Sequence, residues 1–436
     1  MGVKKRLAFI AHASPFNADQ MGDYLGKLTP KVMLSVARML SKKKFGLSLL
    51  EMEEESRAEL LKKLSDREVA QIISSLKSDD ATDLFHSLEK TRTKRIMKLL
   101  SEKKLEEIRP LLRFEEETAG GLMQSEFVSV KASDTVSEAI EKIRECKEAE
   151  EIHNVFVLNS KKELVGVVPL RKLVTAKPSE KISRVMNRSV ISVKSTLDQE
   201  QVAKKFKEYD LVSMPVVDSK NKMVGLITVD DVIDVLEEEA TEDIYRLAGV
   251  PEEESVFSSP SFSIKKRLPW LTINLFTALL ASASIAFFEN TLAAMATLAI
   301  FLPIVAGMGG NAGTQTLAIM VRGLALGEIR VEEYKKALKK ELFVGLANGI
   351  ITGLIVVLIV LLWRNTLVIG IILLLAMVIN LLVAAAAGTL VPLFLKWKKI
   401  DPALASTIII TTFTDVFGFM AFLGIATVFL RLGWLG

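Results

Sequence analysis

Three hydrophobic periods follow one another along this 436-residue chain. Over residues 21–113 apolar side chains recur at helical spacing: Leu60, Leu61 and Leu64, then Val69, Ile72, Ile73 and Leu76, then Ile96, Leu99 and Leu100, with polar breaks such as Ser78-Asp79-Asp80. Side chains so spaced share one helix face, so the stretch predicts several short amphipathic helices forming a small helical domain. From about residue 125 a strand-helix-strand-strand-helix pattern occurs twice. The first copy runs Glu126 to Val130, a helix over 136–146, Asn154 to Leu158, and Gly166 to Pro169 before a helix start. The second runs Ser189 to Val193, a helix over 198–208, Met214 to Asp218, and Gly225 to Asp231 into a helix. Uncharged runs then cover 268–288, 290–321, 342–363 and 365–395, and 402–430 is broken by one charge only. Each exceeds the roughly 20 residues that cross a bilayer as a helix, which predicts five transmembrane helices.

Charge separates the two halves. Residues 269–436 hold 11 Lys and Arg and 7 Asp and Glu, leaving 45 of each in residues 1–268. A mean hydropathy of +0.33 beside 25% charged residues therefore describes two joined materials rather than a soluble enzyme. The balanced soluble part has no net basic field to recruit nucleic acid. The single cysteine, Cys146, excludes an intramolecular disulfide and any CxxC site. Residues 1–13, a basic stretch before a short apolar one, lack a convincing signal sequence and are expected to be retained in the cytosol. Basic residues cluster before the first run, in 322–341 and in 396–401, whereas Glu289 and Arg364 stand alone in the other two loops. The positive-inside rule then puts the large N-terminal part and the C-terminus on opposite sides of a cell membrane, with the N-terminus cytoplasmic and the C-terminus outside. Five spans without an internal repeat favour an oligomer with a path on its symmetry axis, and Gly307, Gly309, Gly310, Gly313 and Ala384 to Gly388 suit close helix contacts.

Candidate chemistry is concentrated in three places. Thr411-Thr412-Phe413-Thr414-Asp415 puts a carboxylate near mid-membrane, at roughly 2.5–3.5 kcal/mol on insertion scales, where a wet cation path is its natural surrounding. The run Pro303 to Thr316 adds Asn311, Thr314 and Gln315, with backbone carbonyls expected to be freed by Pro and Gly. Oxygen ligands without His or Cys favour Mg2+, Ca2+ or Mn2+, and few carboxylates with retained waters suit Mg2+ best. Between Asp230 and Glu254 eleven acids face Arg246 alone. Such crowding weakens a helix unless cations screen it, although a solvated face is the ordinary explanation. His12, His86 and His153 form no ligand spacing, and no Ser-His-Asp, P-loop or zincin motif is present, so no enzyme is expected.

The tandem repeat resembles a pair of CBS domains. In that family a Thr/Ser-x-x-Asp holds a ribose; Thr228-x-x-Asp231 fits and Pro169-x-x-Lys172 does not, so adenylate, as ATP, has one site at most. A helix N-cap by Thr228 is the alternative. The whole order is similar to the MgtE family of magnesium channels. The matching residues are Glu117 to Met123, Val229 to Leu236 with Glu239 to Ile244, Gly309-Gly310-Asn311, Asp401 to Leu404, and Asp415. The resemblance implies an all-α cytosolic N domain over 1–124, α/β CBS domains over 125–182 and 183–244, a connecting, plug-type helix over 245–267 and a five-helix membrane domain over 268–436. It further implies a homodimer whose paired Asp415 carboxylates hold hydrated Mg2+ near Asn311. Cytosolic Mg2+ would close the pore through Asp198, Glu200, Asp210, Asp231, Asp234, Glu239, Glu242 and Asp243, with Asp79 and Asp83 from the helical domain. The competing readings are a membrane-anchored adenylate sensor without transport, and a Co2+, Mn2+ or Ca2+ transporter of the same architecture.

Overall fold

A computed structural model describes residues 17–28, 30–146, 152–251, 254–256, 258–329, 331–364, 366–404 and 407–434. The expectations for residues 1–13, for His12, and for Glu252 and Glu253 lie outside them. The chain divides into two compact units, Met1–Glu239 and Ala240–Gly436.

The first unit opens with eight described helices, from Ala18–Gly26 to Glu102–Ile108. Their starts follow local chemistry. Ser41, Ser65 and Ser101 each accept from a backbone N–H of the first turn, and Ser65 with Glu68 completes a reciprocal capping box. The apolar stripes meet in one core that buries Leu25, Phe45, Leu49, Leu60, Ile72, Ile73, Leu84, Phe85 and Ile96. The repeat then yields two three-stranded sheets of like topology. In each, a short first strand (β1, Ser129–Lys131; β4, Val193–Lys194) runs parallel to the second (β2, Asn154–Leu158; β5, Ser213–Val217). The second runs antiparallel to the third (β3, Leu164–Pro169; β6, Met223–Thr228). Both first strands are shorter than the alternation predicts, and each pairs on one side only. Ala119 and Gly120 donate to Leu197 and Ser195 carbonyls at 2.7 and 2.9 Å, which ties the entry segment to the second repeat.

The second unit contains five helices long and apolar enough to cross a membrane: Pro260–Ala286, Ala296–Ala325, Tyr334–Arg364, Leu367–Trp397 and Thr407–Arg431. The fourth is the packing centre, with half of its apolar window buried against 6% for the first. A Cβ at Gly349 would lie 2.8 Å from Val378 Cα, so the third and fourth spans meet backbone to backbone, as small residues allow.

One expectation changes. The second span is not one helix from residue 290: Glu289–Ala294 ends at Met295, a 3-10 turn covers Ala296–Phe301, and the α-helix begins at Leu302. Pro303 therefore sits in the first helical turn, where its missing N–H leaves nothing unpaired, and Gly307 to Gly313 is regular helix rather than freed carbonyls. The connector over 245–267 is interrupted, as its Pro251, Ser258, Ser259 and Pro260 lead one to expect. Helix Val229–Ala248 stops at Gly249, whose φ of 67° suits glycine, and the next helix starts at Pro260 behind Ser259.

Candidate functional site

In the second unit the fifth span carries Asp415. The hydroxyls of Thr411, Thr412 and Thr414 turn back to the carbonyls of Thr407, Ile408 and Thr411 at 2.9, 2.6 and 3.0 Å, so their donors are spent within the helix and their oxygens remain acceptors. The Asp415 side chain is half-buried and has no hydrogen-bond or ion-pair partner among the described residues. In the second span Pro303, Gly307, Asn311 and Gln315 recur at four-residue spacing on one exposed stripe. The two spans approach closely where a Cβ at Gly310 would meet Thr411 and one at Gly313 would meet Ile410. The polar second-span run and the fifth-span carboxylate thus belong to one helix pair.

Glu341 was missed because the uncharged run starts one residue after it. Helix Tyr334–Arg364 begins earlier and buries Glu341, which accepts from Thr316 at 3.3 Å and pairs with Lys340. It is a second carboxylate within a span, but a partnered one.

The first unit gathers acids on helix Ser78–His86 and the start of helix Val229–Ala248. Asp79 is 8% exposed, and burial first, then Asp80 and Asp231, holds its carboxyl well above the ordinary range. The surrounding protein, then Asp80, Glu116, Asp231 and Glu238, pushes Asp83 up to about 7 although its surface still meets solvent. Burial raises Asp231 to about 6 against the hydrogen bond from Thr228. Lys77 answers these charges: burial works against its cation, but Asp79, Asp230, Asp231 and Asp80 keep it above its usual value. Asp79 and Asp83 therefore each lie close to Asp231, with Asp80 and Lys77 among them; the Ser78-Asp79-Asp80 run reads as a helix break in sequence, which hid Asp80. The Asp231 carboxylate accepts from Thr228 Oγ1 at 2.6 Å and from its backbone N–H at 3.2 Å, half of a capping box.

The other expected acids are separated. Asp198 caps helix Gln199–Tyr209 by accepting from Glu200 N–H at 3.0 Å, and it lines a cavity of about 530 Å3 with His86 and Glu115 to Glu117. His86 Nδ1 lies 3.0 Å from Glu116 Oε1, so this histidine borders an acidic hollow. Asp210 ends the same helix with φ 49°, about 18 Å from Asp198 at 1.5 Å per residue, so the two cannot share an ion within one protomer. Glu239 accepts from Gln199 Nε2 at 2.7 Å, and Asp234 is exposed. In the second unit Arg246 bridges Glu242 and Asp401, while burial and then Asp401 raise the Asp243 carboxyl against Lys396. Thr407 Oγ1 donates to Leu247 O at 2.8 Å, fastening the end of the acidic helix to the start of the span that carries Asp415. Among the described residues no three His, Cys, Asp or Glu side chains converge as a complete metal cage. An ion that keeps most of its waters needs only one or two carboxylates at a time.

Comparison with known proteins covers both units. The divalent cation transporter family MgtE matches residues 302–425, the MgtE intracellular N domain matches 16–117, and CBS domains match 119–179 and 182–238. The magnesium transporter MgtE of Bacillus subtilis is 30% identical over 99% of this chain and 90% of its own. Those of Enterococcus faecalis and Thermus thermophilus are 37% and 34% identical, over 74% and 81% of this chain and 72% and 80% of theirs. Among solved structures, the cytosolic domain of the Mg2+ channel MgtE in complex with ATP is similar at 33% identity over 51% of this chain and 91% of that one, with a TM-score of 0.48. A helical domain, a CBS pair and five membrane helices in this order, matched along 90% of the Bacillus subtilis relative, make this chain a member of the MgtE family of divalent cation transporters.

Proposed function

We propose that this chain conducts hydrated Mg2+ across a cell membrane as a homodimer and that cytosolic Mg2+ shuts it. The observation that carries the reading is Asp415: a half-buried carboxylate within a span, without a partner among the described residues, on the helix packed against the Gly-rich polar run. A single carboxylate with carbonyl and hydroxyl acceptors suits an ion that sheds its waters reluctantly. Two-fold pairing would place a second Asp415 across the axis and cover the exposed stripe of Pro303, Gly307, Asn311 and Gln315. The relatives' common description as magnesium transporters supports Mg2+ as the cargo over Co2+, Mn2+ and Ca2+.

Closure follows from the acids. Asp231 repels both Asp79 and Asp83 in a crowded site, and a bound divalent cation reverses that repulsion. Asp198, Glu200, Asp210, Asp234 and Glu239 are further sensor ligands shared across the dimer, and Glu242 and Asp243 serve the end of the helix tied to Asp401 and Thr407. Adenylate is the weaker use of Asp231, because a ribose has to displace the Thr228 hydroxyl from it. The N-terminus faces the cytosol and the C-terminus the outside.

Mg2+ uptake by proteoliposomes, repeated in competition with Co2+, Mn2+ and Ca2+, tests the reading. Flux that Mg2+ carries and the other ions fail to replace supports it; a protein that binds adenylate and carries no ion would be the anchored sensor.

A further inference from the structure

Asn380, in the middle of the fourth span, has no exposed surface. Its Nδ2 donates to the carbonyl of Val305 in the second span at 2.7 Å, and its Oδ1 is buried without a hydrogen-bond partner among the described residues. Two glycines make room for the carboxamide. A Cβ at Gly309 would lie 2.8 Å from Asn380 Cγ, and one at Gly418, on the fifth span, would lie 2.7 Å from Nδ2. Gly309 is two residues before Asn311, and Gly418 three after Asp415. One side chain from a third helix therefore rests on bare backbone of both helices that carry the candidate path.

Packing alone gives no reason for an amide here. Leucine keeps the same branching at Cγ on a somewhat larger side chain and would remove an acceptor that is desolvated and unpaired. Val305 O lies within a regular helix, where the N–H four residues on is its ordinary donor, so it loses nothing essential without Asn380. The amide does supply a key. The second and fifth spans approach it at Gly309 and Gly418, and the bond to Val305 fixes depth and rotation together.

We propose that Asn380 is a positioning residue for the ion path, holding the second span in register with the fifth and so setting where Asn311 stands relative to Asp415. The inference rests on the transport function proposed above. It separates from simple packing because a keyed register governs flux and ion discrimination, whereas packing governs stability.

Five proteins in liposomes test it: wild type, Asn380→Leu, Asn380→Ala, Gly309→Ala, and Gly309→Ala with Asn380→Ala. Asn380→Leu is expected to keep the wild-type elution profile while Mg2+ flux, or its ratio to Ca2+ flux, falls about threefold or more. Gly309→Ala is expected to lower the melting temperature, and adding Asn380→Ala to restore it without restoring flux. Wild-type flux and ion ratio in Asn380→Leu, or recovery of both stability and flux in the double variant, would make Asn380 a packing residue. Should Asn380→Leu fail to fold, the double variant decides by the same criterion. A wild-type protein that carries no Mg2+ removes the transport reading itself, an outcome distinct from a working channel indifferent to Asn380.

Discussion

Asp415 stands among threonines whose hydroxyl protons are bound to their own helix, which leaves only acceptors around a carboxylate without a partner among the described residues. Asp415→Ala should lower Mg2+ flux by tenfold or more while expression and dimerisation persist, since the charge it removes cost roughly 2.5–3.5 kcal/mol to insert. Wild-type flux from this variant would place ion selection elsewhere. The cytosolic acids lend themselves to titration. Asp83 and Asp231 have folded values of about 7 and about 6, above the ordinary 3.8, so the unfolded chain ionises first and the folded state binds more protons in between. Without divalent ions, stability should therefore be greatest near pH 4 and fall as pH rises to about 7. Mg2+ should flatten that fall and release protons on binding near pH 6.5, seen as calorimetric heats that change with the buffer. Melting curves in chelator that rise with pH would contradict the repulsive site. Asp415 stands out in the sequence as the one charge in its apolar run, and Asp231 as part of an acidic run, whereas Asp79 and Asp83 came only from the family resemblance. The Arg246 bridge to Asp401 was not legible there, because its partners stand 155 residues apart and no local pattern announces them.

Elements with a strong period were read most accurately. Asn154–Leu158 falls where the alternation placed it, and helix Gln199–Tyr209 starts within one residue of its expected position because Asp198 caps it. Errors came where hydrophobicity gives no boundary. The run over 290–321 is uniformly uncharged, so nothing in it marks the break at Met295, and the third span extends back past Glu341 because charged first turns are still good helix. Backbone contact between the third and fourth spans was equally silent, since Gly345, Gly349 and Gly353 declare small size but not what they face. Gly349→Leu, which pushes against Val378 Cα, should destabilise the detergent-solubilised protein by about 1–3 kcal/mol. Gly307→Ala, with nothing within 4 Å of its Cβ in the protomer, should leave protomer stability unchanged. Equal melting losses in both would show that the third and fourth spans do not pack as described.

At the scale of the whole molecule, one helix, Val229–Ala248, carries Asp231 near its start and Glu242 and Asp243 near its end, and that end is fastened to Asp401 and Thr407. Weak sites along such a helix give a steep collective response, because each ion shifts the closed state only by its differential affinity. Neutralising Asp231, Asp234, Glu239 and Asp243 together should leave limited proteolysis of the cytosolic part indifferent to Mg2+, whereas the wild type becomes protected. Identical cleavage of the wild type with and without the ion would reduce the acidic run to a solvated face. The central claim, a Mg2+ path closed by Mg2+ itself, is tested most directly by Mg2+ flux through purified protein in liposomes as the ion is raised on the face of the N-terminal domains. Flux should be high when that face is depleted, fall steeply in the millimolar range, and be at least tenfold lower at every concentration in Asp415→Ala. Absence of Mg2+ flux through the wild type under all these conditions would contradict the path, and flux independent of Mg2+ on that face would contradict the gate.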